Sequence, residues 1–219
     1  MKEDVATDRD TDGRADSRRR RVTMAGHRGD ATLARRGLTD PDPGVRAAAL
    51  GALARLGELR AADVEAALSD DSSLLRRRAV DVALRARGRG ARSSLPRAVT
   101  VALGDPDPLV VVAAAWFLGE RRARAAVPTL ASLATGHADA RCREAAVASL
   151  GAIGDPAGLP AVLGALHDSP TVRRRATVAL AGFDDPRVTP ALQGATTDRD
   201  WQVRQAASEL LDEPAQPRP

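Results

Sequence analysis

"DPDPGVRAAALGAL" (40–53) closes a proline-stiffened polar turn with Val45-Arg46, then runs into residues too small to fill a thick core. Pro41 stops a preceding helix, and an aspartate just ahead of an apolar run is a helix-start residue. One copy predicts only a turn and a helix. "DPDPLVVVAAAWFLGE" (105–120) repeats the phrase, and aligning on the residue pair that ends the turn finds six copies. They are Val45-Arg46, Leu75-Arg76, Val110-Val111, Cys142-Arg143, Val172-Arg173 and Val203-Arg204, at steps of 30, 35, 32, 30 and 31 residues. Three positions after each arginine slot stands Ala49, Ala79, Ala114, Ala146, Ala176 or Ala207. Four further on stands Leu53, Ala83, Leu118, Leu150, Leu180 or Leu211.

Apolar residues at that spacing make one stripe of a helix, termed B, and a period near thirty residues means stacked supersecondary units. A second helix, A, precedes it: "ADVEAAL" (62–68), "VPTLASL" (127–133), "LPAVLGAL" (159–166) and "VTPALQGA" (188–195) carry its stripe. In the turn between them, Asp40, Asp70, Asp105 and Asp198 are expected to cap helix B. Small residues let neighbouring helices approach closely, so the core forms between units rather than inside one. Composition agrees. Of 219 residues 43% are hydrophobic, yet only two are Trp, two Phe and none Tyr, leaving Ala, Leu and Val to build the interior.

The sequence pI near 10.6 suggests a nucleic-acid binder but exaggerates the charge. Net charge is only +4, from 33 Lys and Arg against 29 Asp and Glu. With no Tyr and Lys2 the only lysine, almost nothing titrates between histidine and arginine, so a small excess drives the pI upward. The longest apolar run is too short for a bilayer, no secretory stretch follows Met1, and a single Cys rules out an internal disulfide framework. The expectation is a cytoplasmic protein with no membrane partner.

The pattern Asp-x-x-x-x-Val-Arg-x-x-Ala-x-x-x-Leu-Gly resembles the HEAT repeat, in its phycobilisome-lyase-like subclass, over about residues 18–212. The resemblance implies an all-α solenoid of about six helix pairs plus an N-terminal partial repeat, with B helices on the concave side. In the partial repeat, Ala25-Gly26 takes the Leu-Gly slot. The resemblance also implies an Asp–Arg ladder between turns, mapping to Asp40/Arg46, Asp70/Arg76 and Asp198/Arg204. Val111 in place of arginine, and His137 and His167 in the aspartate slot, interrupt that ladder across the middle. Residues 1–17, rich in charge and poor in apolar side chains, read as a disordered arm, and 213–219 as a disordered tail. An excess of five residues near "RARGRGARSS" (85–94) reads as a longer basic loop.

Some proteins of this architecture are enzymes, so catalysis needs a test. The iron hydroxylases resembling this fold use repeated His-Glu pairs; here "GHRG", "GHAD" and "LHDS" contain none, so no metal, cofactor or catalytic residue is assigned. Cys142 fills a slot held elsewhere by Val or Leu and reads as a small core residue. "RGD" (28–30) reads as a helix start, with Asp30 the cap. Trp201 is expected to pack against the preceding helix. In "LRRRA" and "VRRRA", Arg78 and Arg175 replace an alanine found in the other copies, while Arg77 and Arg174 face outward.

The third repeat alone carries a bulky apolar pair, Val112 and Trp116, where other copies are small or charged. Two readings stay open for Trp116, an anchor for a partner or packing across a neighbouring helix. The candidate surface on the B helices is Arg77, Asp81, Val112, Trp116, Glu120, Glu144 and Arg174. It predicts a non-enzymatic scaffold for a protein or peptide. Two rivals remain: a nucleic-acid-binding solenoid resembling the HEAT-like DNA glycosylases, and an accessory or lyase-type factor for a tetrapyrrole-bearing protein.

Overall fold

In the computed structural model the described residues are 3–86 and 91–212, with side chains described for 13–86 and 94–212. Helices dominate, and no strand occurs among the described residues. The B helices are α3 (Pro43–Leu56), α5 (Ser73–Ala83), α7 (Pro108–Glu120), α9 (Ala140–Ile153), α11 (Pro170–Leu180) and α13 (Trp201–Asp212). The A helices are α2 (Ala31–Arg36), α4 (Ala61–Leu68), α6 (Ala91–Val101), α8 (Val127–Gly136), α10 (Leu159–Ala165) and α12 (Val188–Ala195), four of them extended by a 3-10 turn. A first helix, α1 (Glu3–Arg28), occupies the B position of the partial repeat.

The chain forms two compact units, residues 1–98 and 99–219, where the sequence reading has one stack. The division falls within α6, a few residues after the stretch that carries the extra residues. In the first unit α1 packs on α3, and α3 on α5; in the second α7 packs on α9, α9 on α11 and α11 on α13. Residues 3–17, expected as a structureless arm, are instead the opening turns of α1. The expected tail, 213–219, and most of the expected basic loop lie outside the described residues.

Alanine and glycine set the helix spacing. A Cβ on Gly26 would sit 2.8 Å from Ala52 Cα, and one on Gly151 2.8 Å from Ala179 Cα, so α1–α3 and α9–α11 meet backbone to backbone. Larger residues fill the flanks: Leu53, Leu118, Leu150 and Leu180, from the repeated leucine slot, are fully buried. After α1, α3, α7 and α9 the chain reverses through a left-handed residue in one slot of the phrase: Gly29 (φ 81°), Gly57 (φ 73°), Gly154 (φ 66°) and, without a glycine, Arg122 (φ 47°).

The turns correct the sequence reading. The cap of α3 is Asp42, which accepts from Val45 N, and the caps of α7 and α9 are Asp107 and Asp139. The aspartates two residues earlier do something else. Asp40, Asp70 and Asp198 each accept the N–H two residues on, and each also takes a guanidinium from the preceding repeat. Those pairs are Arg18–Asp40 (2.8 Å), Arg46–Asp70 (2.8 Å) and Arg173–Asp198 (2.8 Å). Meanwhile Arg46, Arg143 and Arg204 donate to carbonyls of their own turn. Within each unit the ladder therefore joins an arginine to the next phrase's aspartate, not to its own.

That shift explains two departures at once. Val111 would reach the turn of the fourth repeat, where His137 stands, so arginine and aspartate are missing from the same rung. His137 Nδ1 still accepts from Asp139 N at 3.0 Å, keeping the turn with an imidazole in place of a carboxylate. Asp168, one residue late, is nonetheless gripped by Arg143 through two bonds of 2.7 Å. The ladder is broken only at the Val111–His137 rung within the second unit.

Candidate functional site

Trp116 lies on α7, one helical turn after Val112 and one before Glu120. Trp116 is 44% exposed, whereas the neighbouring Phe117 is buried. Arg175, on α11, lies over the ring, its guanidinium carbon 5.8 Å from the ring centroid. The same guanidinium donates from Nη2 and Nε to Glu144 Oε1 on α9, at 3.2 and 3.4 Å. Three successive B helices thus contribute a ring, a carboxylate and a cation to one cluster. With side chains about one third exposed, the Arg175–Glu144 pair is half in water and gains little from Coulomb attraction alone. Its effect is to pin the cation against the ring.

Beside the cluster is a depression of about 260 Å³ lined by Glu144, Thr171, Arg174, Arg175, Val178 and Gln202. Val178 is 44% exposed there, in the slot that Trp116 occupies in its own repeat. Of the residues singled out from sequence, Trp116 and Glu144 meet through Arg175, and Glu144 and Arg174 share the depression. Val112 is half-buried and Glu120 exposed on the same ridge. Arg77 and Asp81 are exposed on α5, in the first unit. Sequence reasoning named Arg175 but gave it no part in the surface. The available signal was its position, an arginine in a slot otherwise held by alanine.

Cys142 is buried, its thiol pushed up to about 11 by desolvation, which suits the packing role expected of it. Trp201 is 60% exposed at the start of α13, more open to solvent than the packing role expected of it suggests. Among the described residues no three His, Cys, Asp or Glu side chains gather as a cation would require. No described helix is long and apolar enough to cross a membrane.

Comparison with known proteins agrees with the repeat architecture. The model of the HEAT repeats matches residues 95–171 and 165–218, together more than half of the chain, so the chain belongs to the HEAT-repeat family. No curated protein sequence matches it significantly. Among solved structures it is similar to the complex of CpcE and CpcF of phycocyanin lyase from Nostoc sp. PCC7120. There the identity is 25%, covering 81% of this chain and 74% of that one, with a TM-score of 0.59. Escherichia coli YibA is similar at 18% identity over 80% of this chain and 67% of that one, TM-score 0.60. A designed armadillo repeat protein in complex with the peptide (KR)4 is similar at 17% identity, covering 82% and 97%, TM-score 0.57. The last two share the fold.

Proposed function

We propose that the chain is a non-catalytic interaction scaffold, acting in the cytoplasm, whose B-helix surface binds a protein or peptide segment at Trp116. One observation carries this reading: a tryptophan left 44% exposed has a cation from two repeats away over its ring. A half-exposed tryptophan with a charged rim is the kind of side chain that supplies most of an interface's binding energy. Val112 and Val178 widen the apolar centre, and Glu120 and Arg174 supply the rim.

The likeness to the CpcE–CpcF complex supports a second reading, in which the chain works beside another repeat protein as an accessory or lyase-type factor for a tetrapyrrole-bearing partner. Nucleic acid is less favoured, because Arg175 is already committed to Glu144 and Trp116. The test is Trp116→Ala, titrated against the partner recovered by cross-linking in the native host. Affinity should fall by about 2 kcal/mol, roughly thirtyfold, with the melting temperature unchanged. Unchanged affinity, or a melting temperature several degrees lower, would sink the anchor.

A further inference from the structure

The first unit holds the same construction with two parts removed. Arg78 on α5 occupies the slot that Arg175 occupies on α11. One repeat back, where Glu144 stands in the second unit, α3 has Ala47; two repeats back, where Trp116 stands, α1 has Thr23. All three line one pocket of about 560 Å³, together with Arg19, Arg20, Met24, Ala48 and Leu74. The space that a carboxylate and an indole fill in one unit is open in the other.

The pocket has an apolar floor and a cationic rim. Met24 and Leu74 are among the most exposed large apolar side chains of the first unit, at 44% and 56%. Arg19 is paired with Asp16 at 2.8 Å. Arg20 and Arg78 form no ion pair or hydrogen bond among the described residues. Arg78 is half-buried all the same, and Gly51 makes this possible, because a Cβ there would collide with its guanidinium. A guanidinium always carries its charge, so a half-buried one without an acid is set up to receive one.

We infer that this pocket is a second docking site, one that takes an acidic, aliphatic peptide segment. The segment's carboxylate does for Arg78 what Glu144 does for Arg175, and its adjacent bulky apolar side chain covers Met24 and Leu74. The reading is independent of the Trp116 surface. Charge complementarity selects an anion, and the lining selects a peptide over a nucleic acid. No aromatic ring lines the pocket for a base to stack on, and a phosphate backbone has no use for an apolar floor.

The experiment is fluorescence anisotropy on the full chain with three probes: a labelled peptide of repeated Glu-Leu-Leu units, its Lys-Leu-Leu counterpart, and a labelled oligothymidylate. The Glu-Leu-Leu peptide should bind, and the Lys-Leu-Leu peptide should not. Arg78→Ala should weaken binding about tenfold or more, as expected for losing a charge-assisted hydrogen bond, with Arg78→Lys retaining part of it. Arg20→Ala, at an exposed position whose loss leaves the fold intact, should weaken it in the same direction. Four results would overturn the site: no binding by the wild-type chain, equal binding of the lysine peptide, displacement of the peptide by oligothymidylate, or correctly folded Arg78→Ala and Arg20→Ala chains that bind as wild type does. Because these measurements read Arg78 and not Trp116, their failure leaves the Trp116 proposal standing.

Discussion

Arg122 stands at φ 47° in the slot that Gly29, Gly57 and Gly154 fill elsewhere. A side chain in the left-handed region brings its Cβ against the following carbonyl, a strain that glycine avoids. Arg122→Gly should therefore stabilise the protein by about 0.5–1 kcal/mol, part of the relief being returned as glycine's greater unfolded-state entropy. A rise in the urea midpoint checks this, and an unchanged or lowered midpoint refutes it. The position was legible in the sequence, since it falls in a slot where three other copies carry glycine. Trp116 was legible only as an oddity. Whether it was buried depended on which helix crosses it, and Arg175, which does, sits two repeats away. Side-chain periodicity along one helix carries no information about that reach.

At the scale of helices, the alanine and leucine slots specified the packing well. Every copy of the phrase became a B helix, and its leucine slot is buried in α3, α7, α9 and α11. The ladder was misassigned for a simple reason. Alignment compares residues inside one phrase, whereas these hydrogen bonds join one phrase to the next. The caps of α3 and α7 were misplaced by two residues because each turn has two aspartates, and only the second lies next to the helix. The closeness of α9 and α11 makes a sharp prediction. Gly151→Ala puts a methyl group against the backbone of Ala179, which cannot rotate out of the way as a side-chain tip could. The expected cost is about 1–3 kcal/mol, read from chemical denaturation. A cost below a few tenths would mean that the two helices slide apart freely.

Over the whole molecule the ladder predicts a response to acid. Side-chain hydrogen bonds from arginine hold Asp40, Asp168 and Asp198 below the ordinary aspartate value of 3.8. For Asp70 burial pushes upward, but Arg46 and the Ser72 N–H outweigh it and the net shift is again downward. A carboxylate whose folded pKa is depressed stabilises the fold fully above its unfolded value and loses that contribution as pH falls through the folded one. The melting temperature should hold steady from neutrality to about pH 5, then decline through 3.8 and below. Asp198→Asn should flatten the decline, and an identical acid profile in that variant would dissociate the ladder from it.

The rung made of Val111 and His137 also constrains how such a protein can drift. Suppose a charged rung loses its aspartate first. The arginine that remains cannot shed its charge, and at Arg173 the side chain is only 5% exposed. Suppose instead that the arginine goes first. The aspartate keeps the N–H of its own turn, as Asp198 keeps that of Asp200, and can take up a proton if it must. The passable route from a charged rung to a neutral one gives up arginine before aspartate, so a lineage caught midway should show an aliphatic residue facing a surviving acid, and not a lone arginine facing a histidine.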